Sequence, residues 1–200
     1  MNLYNDDDTG DQGRFFGVMV GIVTDNQDPK KLGRVRVKLP WLSQDHASDW
    51  SRVASSMAGK GRGLFLLPEV DDEVLVAFEH GSPDSLYVLG ALWNGKDTPP
   101  VDKIEGNNLR VLRSRAGHEV VLDDSDGAGK VIVRDGEGKN SVVIDVAKGS
   151  ITVTAEKKLV IACDGDIQIG GSGAKIAIEG DKLTVKCTAV NINNGALEVS

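Results

Sequence analysis

Aromatic side chains are scarce in this sequence: four Phe, three Trp and two Tyr, 4% of 200 residues, too few for one thick core built around large rings. Long apolar runs are missing as well. None approaches the ~18 residues that a membrane-spanning helix needs. There are only two cysteines, Cys163 and Cys187, which make neither a disulfide framework nor a metal site; both are expected to be small buried residues. Positive charge is in the minority, 23 Lys and Arg against 30 Asp and Glu for a formal charge of −7. That balance argues against a surface built to track phosphates. The first thirteen residues, MNLYNDDDTGDQG, are acidic and polar, unlike a signal or transit peptide, so the chain is expected to be made and held in the cytoplasm.

What the sequence does have is turns and short strands. Its 24 glycines are spread along the chain. Residues 1–13 lack hydrophobic periodicity and are expected to form a disordered tail. From Arg14 to Asn94 the pattern predicts strands at Phe15–Thr24, Gly33–Leu39, Trp50–Met57, Leu64–Leu67, Glu73–Glu79 and Leu86–Trp93, the first ending at the turn pair Asp25-Asn26. Gly33–Leu39 alternates strictly, with Val35, Val37 and Leu39 on one side and Arg34, Arg36 and Lys38 on the other, a half-buried strand with a basic outer face. A hairpin loop is expected at His80–Asp84. Short strands in this number, with no amphipathic helix, predict a small closed β-barrel over residues 14–94.

From Leu109 onward, after a linker at 95–108, short alternating pairs recur: Val120/Leu122, Val131/Val133, Val142/Ile144, Ile151/Val153, Leu159/Ile161, Ile167/Ile169, Ile176/Ile178, Leu183/Val185, Val190/Ile192 and Leu197/Val199. From Ile151 the pairs begin 8, 8, 9, 7, 7 and 7 residues apart, a repeat array of very short strands. At ~3.3 Å per residue each crossing is about 15–20 Å long. Such a unit supplies one wall of a solenoid coil and no more, and a single chain would leave its apolar stripe open to water. Three chains about one axis close a triangular prism. A shorter-coil monomeric β-helix is the alternative. The members of the six pairs from Ile151/Val153 to Val190/Ile192 are expected to face inward in the trimer, namely Ile151, Val153, Leu159, Ile161, Ile167, Ile169, Ile176, Ile178, Leu183, Val185, Val190 and Ile192, with Cys163 and Cys187 on the same parity.

Four blocks carry a family resemblance: Gly21–Trp41 (GIVTDNQDPKKLGRVRVKLPW), Gly63–Gly81 (GLFLLPEVDDEVLVAFEHG), Tyr87–Gly95 (YVLGALWNG) and Arg113–Asp124 (RSRAGHEVVLDD). In this order they resemble the valine–glycine repeat (VgrG) proteins of type VI secretion and phage baseplate assembly protein V. The resemblance implies an all-β chain: an oligonucleotide/oligosaccharide-binding (OB) barrel followed by a trimeric, triple-stranded β-helix over 109–200. It implies a central spike that sits on a hub, carries a PAAR-type tip protein and punctures a target envelope when a sheath contracts. Only residues 1–13 precede the barrel, so the hub is expected to be a separate chain. The 95–108 linker leaves no room for the lysozyme domain of some phage spikes, and no enzymatic activity or cofactor is expected. No His-x-His pair, the iron-gathering end of some phage needles, is present; Leu197, Glu198, Val199 and Ser200 are instead expected to form a blunt end that binds the tip.

The candidate chemical motifs read as bland. Asp71-Asp72-Glu73 and Asp123-Asp124 with Asp126 could pair carboxylates for acid–base work, yet they sit at strand ends where solvated Asp is common. Gly59-Lys60-Gly61-Arg62-Gly63 lacks the Gly-Lys-Ser/Thr ending of a phosphate cradle and is expected to be a flexible barrel loop. Gly170–Ile178 resembles a calcium nonapeptide, but Lys175 occupies the ligating Asp position. His46, His80 and His118 are far apart. The reading is therefore a mechanical spike of a contractile injection system, held in the cytoplasm until assembled and then delivered to the target envelope. A carbohydrate-binding module or tailspike is the alternative; nucleic acid is not an expected partner.

Overall fold

The computed structural model describes residues 14–42, 47–101, 105–165 and 167. They are all-β apart from one 3-10 turn at Glu105–Asn107. Seven strands come first: β1 (Val18–Asp25), β2 (Arg34–Lys38), β3 (Ser51–Val53), β4 (Ala58–Gly59), β5 (Arg62–Gly63), β6 (Glu73–Glu79) and β7 (Ser82–Ala91). Five of them close a barrel in the order β1-β2-β3-β7-β6. All neighbours are antiparallel except β3 and β7, which run parallel with Arg52 opposite Tyr87 and Val53 opposite Val88. This is the OB arrangement.

The barrel core is almost entirely valine. Val23, Val35, Val37, Val74, Val76 and Val88 are fully buried, with Leu39 and Leu86 beside them. β-branched side chains fit a pleated wall with little rotamer freedom to lose. The narrow interior also needs Gly21: a Cβ there would lie 2.4 Å from Val37 Cγ1 and 3.2 Å from the Lys38 carbonyl oxygen. Gly21→Ala is therefore expected to overpack the core at a cost of about 1–3 kcal/mol, read as a lower denaturation midpoint in urea.

The loop from β1 to β2 is organised by Asp28. Its carboxylate accepts hydrogen bonds from the Lys30 and Leu32 backbone N–H groups, both at 2.9 Å, and from Arg34 Nε and Nη2 at 2.9 and 2.7 Å. Closure between β2 and β3 is thin, since β3 has three residues. Ser48 completes it: its N–H donates to Val37 O (2.8 Å), its hydroxyl accepts from Val37 N–H (3.0 Å) and donates to Asp49 O (2.8 Å). Ser48 and Ser51 are both buried, their hydroxyls 3.2 Å apart.

Several expectations are corrected here. The predicted strand Trp50–Met57 shortens to β3, and Leu64–Leu67 forms no strand. Ser55 Oγ instead donates to the Met57 and Leu64 carbonyls (3.0 and 2.7 Å), which draws the chain into the β4–β5 hairpin one step earlier. The Gly59–Gly63 stretch is thus a paired hairpin and not an irregular loop. The β6–β7 loop is only His80-Gly81, with φ of 51° and 82°, the two positive values of a type I′ turn. Ser82, Pro83 and Asp84 belong to β7. Phe15 lies before β1, its ring edge-on to Trp41 (centroids 4.7 Å apart) and 5.8 Å from Phe78.

Beyond the barrel, β8 (Leu109–Arg113), β9 (Glu119–Asp123), β10 (Lys130–Arg134), β11 (Ser141–Asp145) and β12 (Ser150–Thr154) form a simple antiparallel meander. Each turn is closed from within. Ser114 Oγ accepts from His118 N–H (3.1 Å), Asp123 from Ser125 N–H (3.0 Å), Asp135 from Lys139 N–H (2.9 Å) and Asp145 from Lys148 N–H (3.0 Å). The chain divides into two compact units at Val153/Thr154. In the second, the described residues after β12 form no strand and are exposed, Leu159 and Ile161 included; a strand needs a ladder partner. Cys163 is exposed in the single chain as well, and its thiol lies 2.9 Å from Gly165 O.

Candidate assembly surface

The meander has two unlike faces, and the register assigns each residue to one of them. Residues directly opposite one another share a face. One row reads Arg110, Leu122, Val131, Ile144 and another Leu112, Val120, Val133, Val142. Both lie on the same face, because they are two positions apart on every strand. Leu112, Val120, Leu122, Val133, Val142 and Ile144 are 39–50% exposed. This is an apolar sheet face with nothing over it in the single chain, larger than scattered exposed residues account for. The alternating pairs Val120/Leu122, Val131/Val133 and Val142/Ile144 all fall on it. Ile151 and Val153, on one side of β12, are also exposed, as is Ile167. The remaining expected inward residues, Ile169, Ile176, Ile178, Leu183, Val185, Val190 and Ile192, and the expected tip residues Leu197, Glu198, Val199 and Ser200, lie outside the described residues, as do Cys187, His46, the Gly170–Ile178 motif and residues 1–13.

The opposite face carries one apolar row, Val111, Val121, Ile132 and Val143, between two charged rows. In the first, Glu119 is 8% exposed and sits between Arg113 and Arg134, its oxygens 3.4 Å from Arg113 Nε and 2.6 Å from Arg134 Nη2. In the second, Lys130 stands between Asp123 and Asp145. Charges of alternating sign across strands attract, and their long stems cover the apolar row between them. This face is finished against water; the other is not.

The carboxylate clusters are structural. Asp72 Oδ2 accepts from Glu69 N–H (2.9 Å), Asp71 N–H donates to Val23 O (2.9 Å), and Glu73 Oε2 accepts from Asn94 Nδ2 (3.2 Å). Bonds from Ser125 hold the Asp123 carboxyl below its ordinary value, and Asp124 lies 3.5 Å from Arg110. The basic outer side of β2 is partly engaged too. Arg34 is ion-paired to Asp28 over the Trp50 ring, and Arg36 Nε donates to Ser48 O (3.0 Å). Among the described residues no group of three or more His, Cys, Asp or Glu could hold a metal ion, and no helix is long and apolar enough to cross a membrane. Sequence reasoning missed Asp28 and Glu119. Asp28-Pro29 is a turn signal that could have found the first; the second depends on cross-strand register.

These buried or turn-closing carboxylates set a pH dependence. Hydrogen bonds from Arg34 hold Asp28 far below its ordinary value; the Asn140 side chain lowers Asp135, and the Lys148 N–H lowers Asp145. Lowered native values mean that the unfolded chain binds more protons near pH 3–4, so stability rises with pH there. The contribution is complete above the unfolded carboxyl value, near 3.9, and is lost as pH falls through the native values. Thermal scans from pH 7 to pH 2 should show the midpoint level above about pH 5 and falling below about pH 4. Asp28→Asn should start lower at pH 7 and decline less steeply.

A family model described as the type VI secretion system/phage-baseplate injector OB domain matches residues 19–93. The chain is 27% identical over 134 residues to the type VI secretion system spike protein VgrG1b of Pseudomonas aeruginosa, the match covering 61% of this chain and 18% of that protein. It is 32% identical over 113 residues to VgrG4b of the same organism (52% and 14% covered). Over 111 residues it is 30% identical to the spike protein VgrG3 of Vibrio cholerae (51% and 11% covered). The matched stretch spans less than a fifth of each of these three curated relatives.

Proposed function

Because this chain belongs to the VgrG/phage baseplate V family through its injector OB domain at residues 19–93, we propose that it is the homotrimeric central spike of a contractile injection system. The single observation that carries this reading is the uncovered apolar face of β8–β11. Two rows of Leu, Val and Ile, interrupted only by Arg110, exposed to water beside a closed barrel make sense when further copies bury them. On this reading residues 14–94 form the barrel seated on a separate hub chain, 95–108 a short connection, and 109–200 the needle, a triple-stranded β-helix whose walls come from three chains. The inward rows continue through Ile151, Val153 and the later pairs, and Leu197–Ser200 receives a PAAR-type tip. The spike waits in the cytoplasm until assembled, then punctures the target envelope by transmitted force and performs no catalysis.

Light scattering on the purified chain, before and after brief SDS exposure without boiling, tests this. The expected mass is three times 21.3 kDa, retained in SDS because intertwined chains cannot separate singly. A monomer at all concentrations would remove the physical basis of the reading.

A further inference from the structure

A second apolar feature lies on the barrel. Between the β1–β2 loop and the β4–β5 hairpin opens a cleft of about 640 Å³, within the ~300–1,000 Å³ range of ligand pockets. Its walls include Leu32, Met57, Leu64, Phe65 and Leu66, each 49–76% exposed. One wall is main chain that joins no ladder. Leu64 is the last residue held there, its N–H donating to Met57 O (2.9 Å) and its carbonyl accepting from Ser55 Oγ (2.7 Å). Among the described residues, the N–H and C=O groups of Phe65, Leu66 and Leu67 form no hydrogen bond. The rim is basic: residues 30–33 and 54–67 contain Lys30, Lys31, Lys60 and Arg62 and no carboxylate, in a chain whose formal charge is −7. All four cations are exposed, and the described residues give none of them an ion pair. Asp28, just ahead of the first segment, is already taken by Arg34.

We propose that this cleft docks an extended segment of another polypeptide, one in which large apolar side chains alternate with carboxylates. Strand addition of this kind draws affinity from main-chain hydrogen bonds and specificity from the pockets that receive alternate side chains. The occupant's backbone pairs with the open groups of Phe65, Leu66 and Leu67. Its apolar side chains cover Leu32, Met57 and Phe65, and its carboxylates meet the four cations. Complementary charge speeds the encounter and fixes the register. The same cations turn away basic strands, and so guard the open main chain against wrong partners. An anionic bilayer would satisfy the rim and the apolar walls, but it offers no row of alternating donors and acceptors for the unpaired main chain. The inference stands on the barrel alone and does not depend on the spike reading.

The test uses the full chain and a fluorescent synthetic heptapeptide of alternating leucine and glutamate, blocked at both ends. Anisotropy should show saturable binding of one peptide per chain. Phe65→Ser, at a side chain 76% exposed and so outside the folding core, should weaken binding roughly tenfold or more. Lys60→Glu combined with Arg62→Glu should do the same, as should methylation of the peptide's backbone nitrogens or lysine in place of its glutamates. About 0.5 M salt should weaken binding by screening the rim. No saturation below about 1 mM peptide, equal affinity for the lysine peptide, or binding indifferent to the variants or to methylation would each overturn the proposal. Two other results would also overturn it. Sedimentation with phosphatidylglycerol vesicles, lost in the same variants and without peptide binding, would assign the patch to a membrane. A fall in the chain's own mass on adding peptide would assign it to a neighbouring copy.

Discussion

Val133→Asp is expected to turn the proposed trimer into a monomer while leaving the barrel and the meander folded. Val133 lies in the row Leu112, Val120, Val133, Val142, opposite Val120 on one neighbour and Val142 on the other, and is 48% exposed in the single chain. In a monomer the new carboxylate meets water, and surface substitutions of this kind cost little, about 0.5 kcal/mol beyond the weaker strand propensity of Asp. In a trimer three carboxylates are buried about one axis, each with a desolvation penalty of several kcal/mol and no cation on that row. The effect is therefore specific to assembly. Light scattering should report a fall from three times 21.3 kDa to 21.3 kDa, with an unchanged far-ultraviolet spectrum. An unchanged mass would show that this face is not the seam.

Ser48→Ala should lower the barrel's melting temperature by about 10 °C. The substitution strips the acceptor from Val37 N–H in the interior and removes the hydroxyl bridge to Asp49 O and Ser51. A buried donor left unpaired costs about 1–3 kcal/mol, and each kcal/mol shifts the midpoint of a domain this small by roughly 4–8 °C. The comparison is Ser141→Ala on the meander, a half-buried hydroxyl at which little change is expected. Equal, small shifts in both variants would mean that the Ser48 hydroxyl does not hold the β2–β3 closure.

How much of this was legible in the sequence depends on the range of the interaction concerned. The strand Glu73–Glu79 and the valine face of β2 followed from period-two alternation, and so did the shared parity of the pairs at 120/122, 131/133 and 142/144. Those are local patterns that the pleat converts directly into faces. Leu64–Leu67 misled because a continuous apolar run resembles a buried strand, yet the Leu64 carbonyl accepts from the Ser55 hydroxyl and the run joins no ladder, its first three residues exposed. The His80 turn was misjudged because a non-glycine residue takes a positive φ there, which residue type alone does not disclose. The Arg113–Glu119–Arg134 row was invisible for another reason: turns of different length set which charges meet, and sequence spacing does not report register.

The serine- and aspartate-closed turns of the meander carry a consequence for how the molecule comes together in time. Each strand from β8 to β12 pairs only with its sequence neighbours, across turns of four to six residues. The barrel instead closes by joining β1 to β6 and β3 to β7, strands from distant parts of the chain. Contacts of short range form before contacts that must close long loops. The meander, although synthesised later, is thus poised to zip hairpin by hairpin while the barrel is still searching for its closure. Its apolar face is then presented early, so that in the proposed assembly partner chains meet a surface already shaped, and slow barrel closure becomes the interval in which a wrong association is most dangerous.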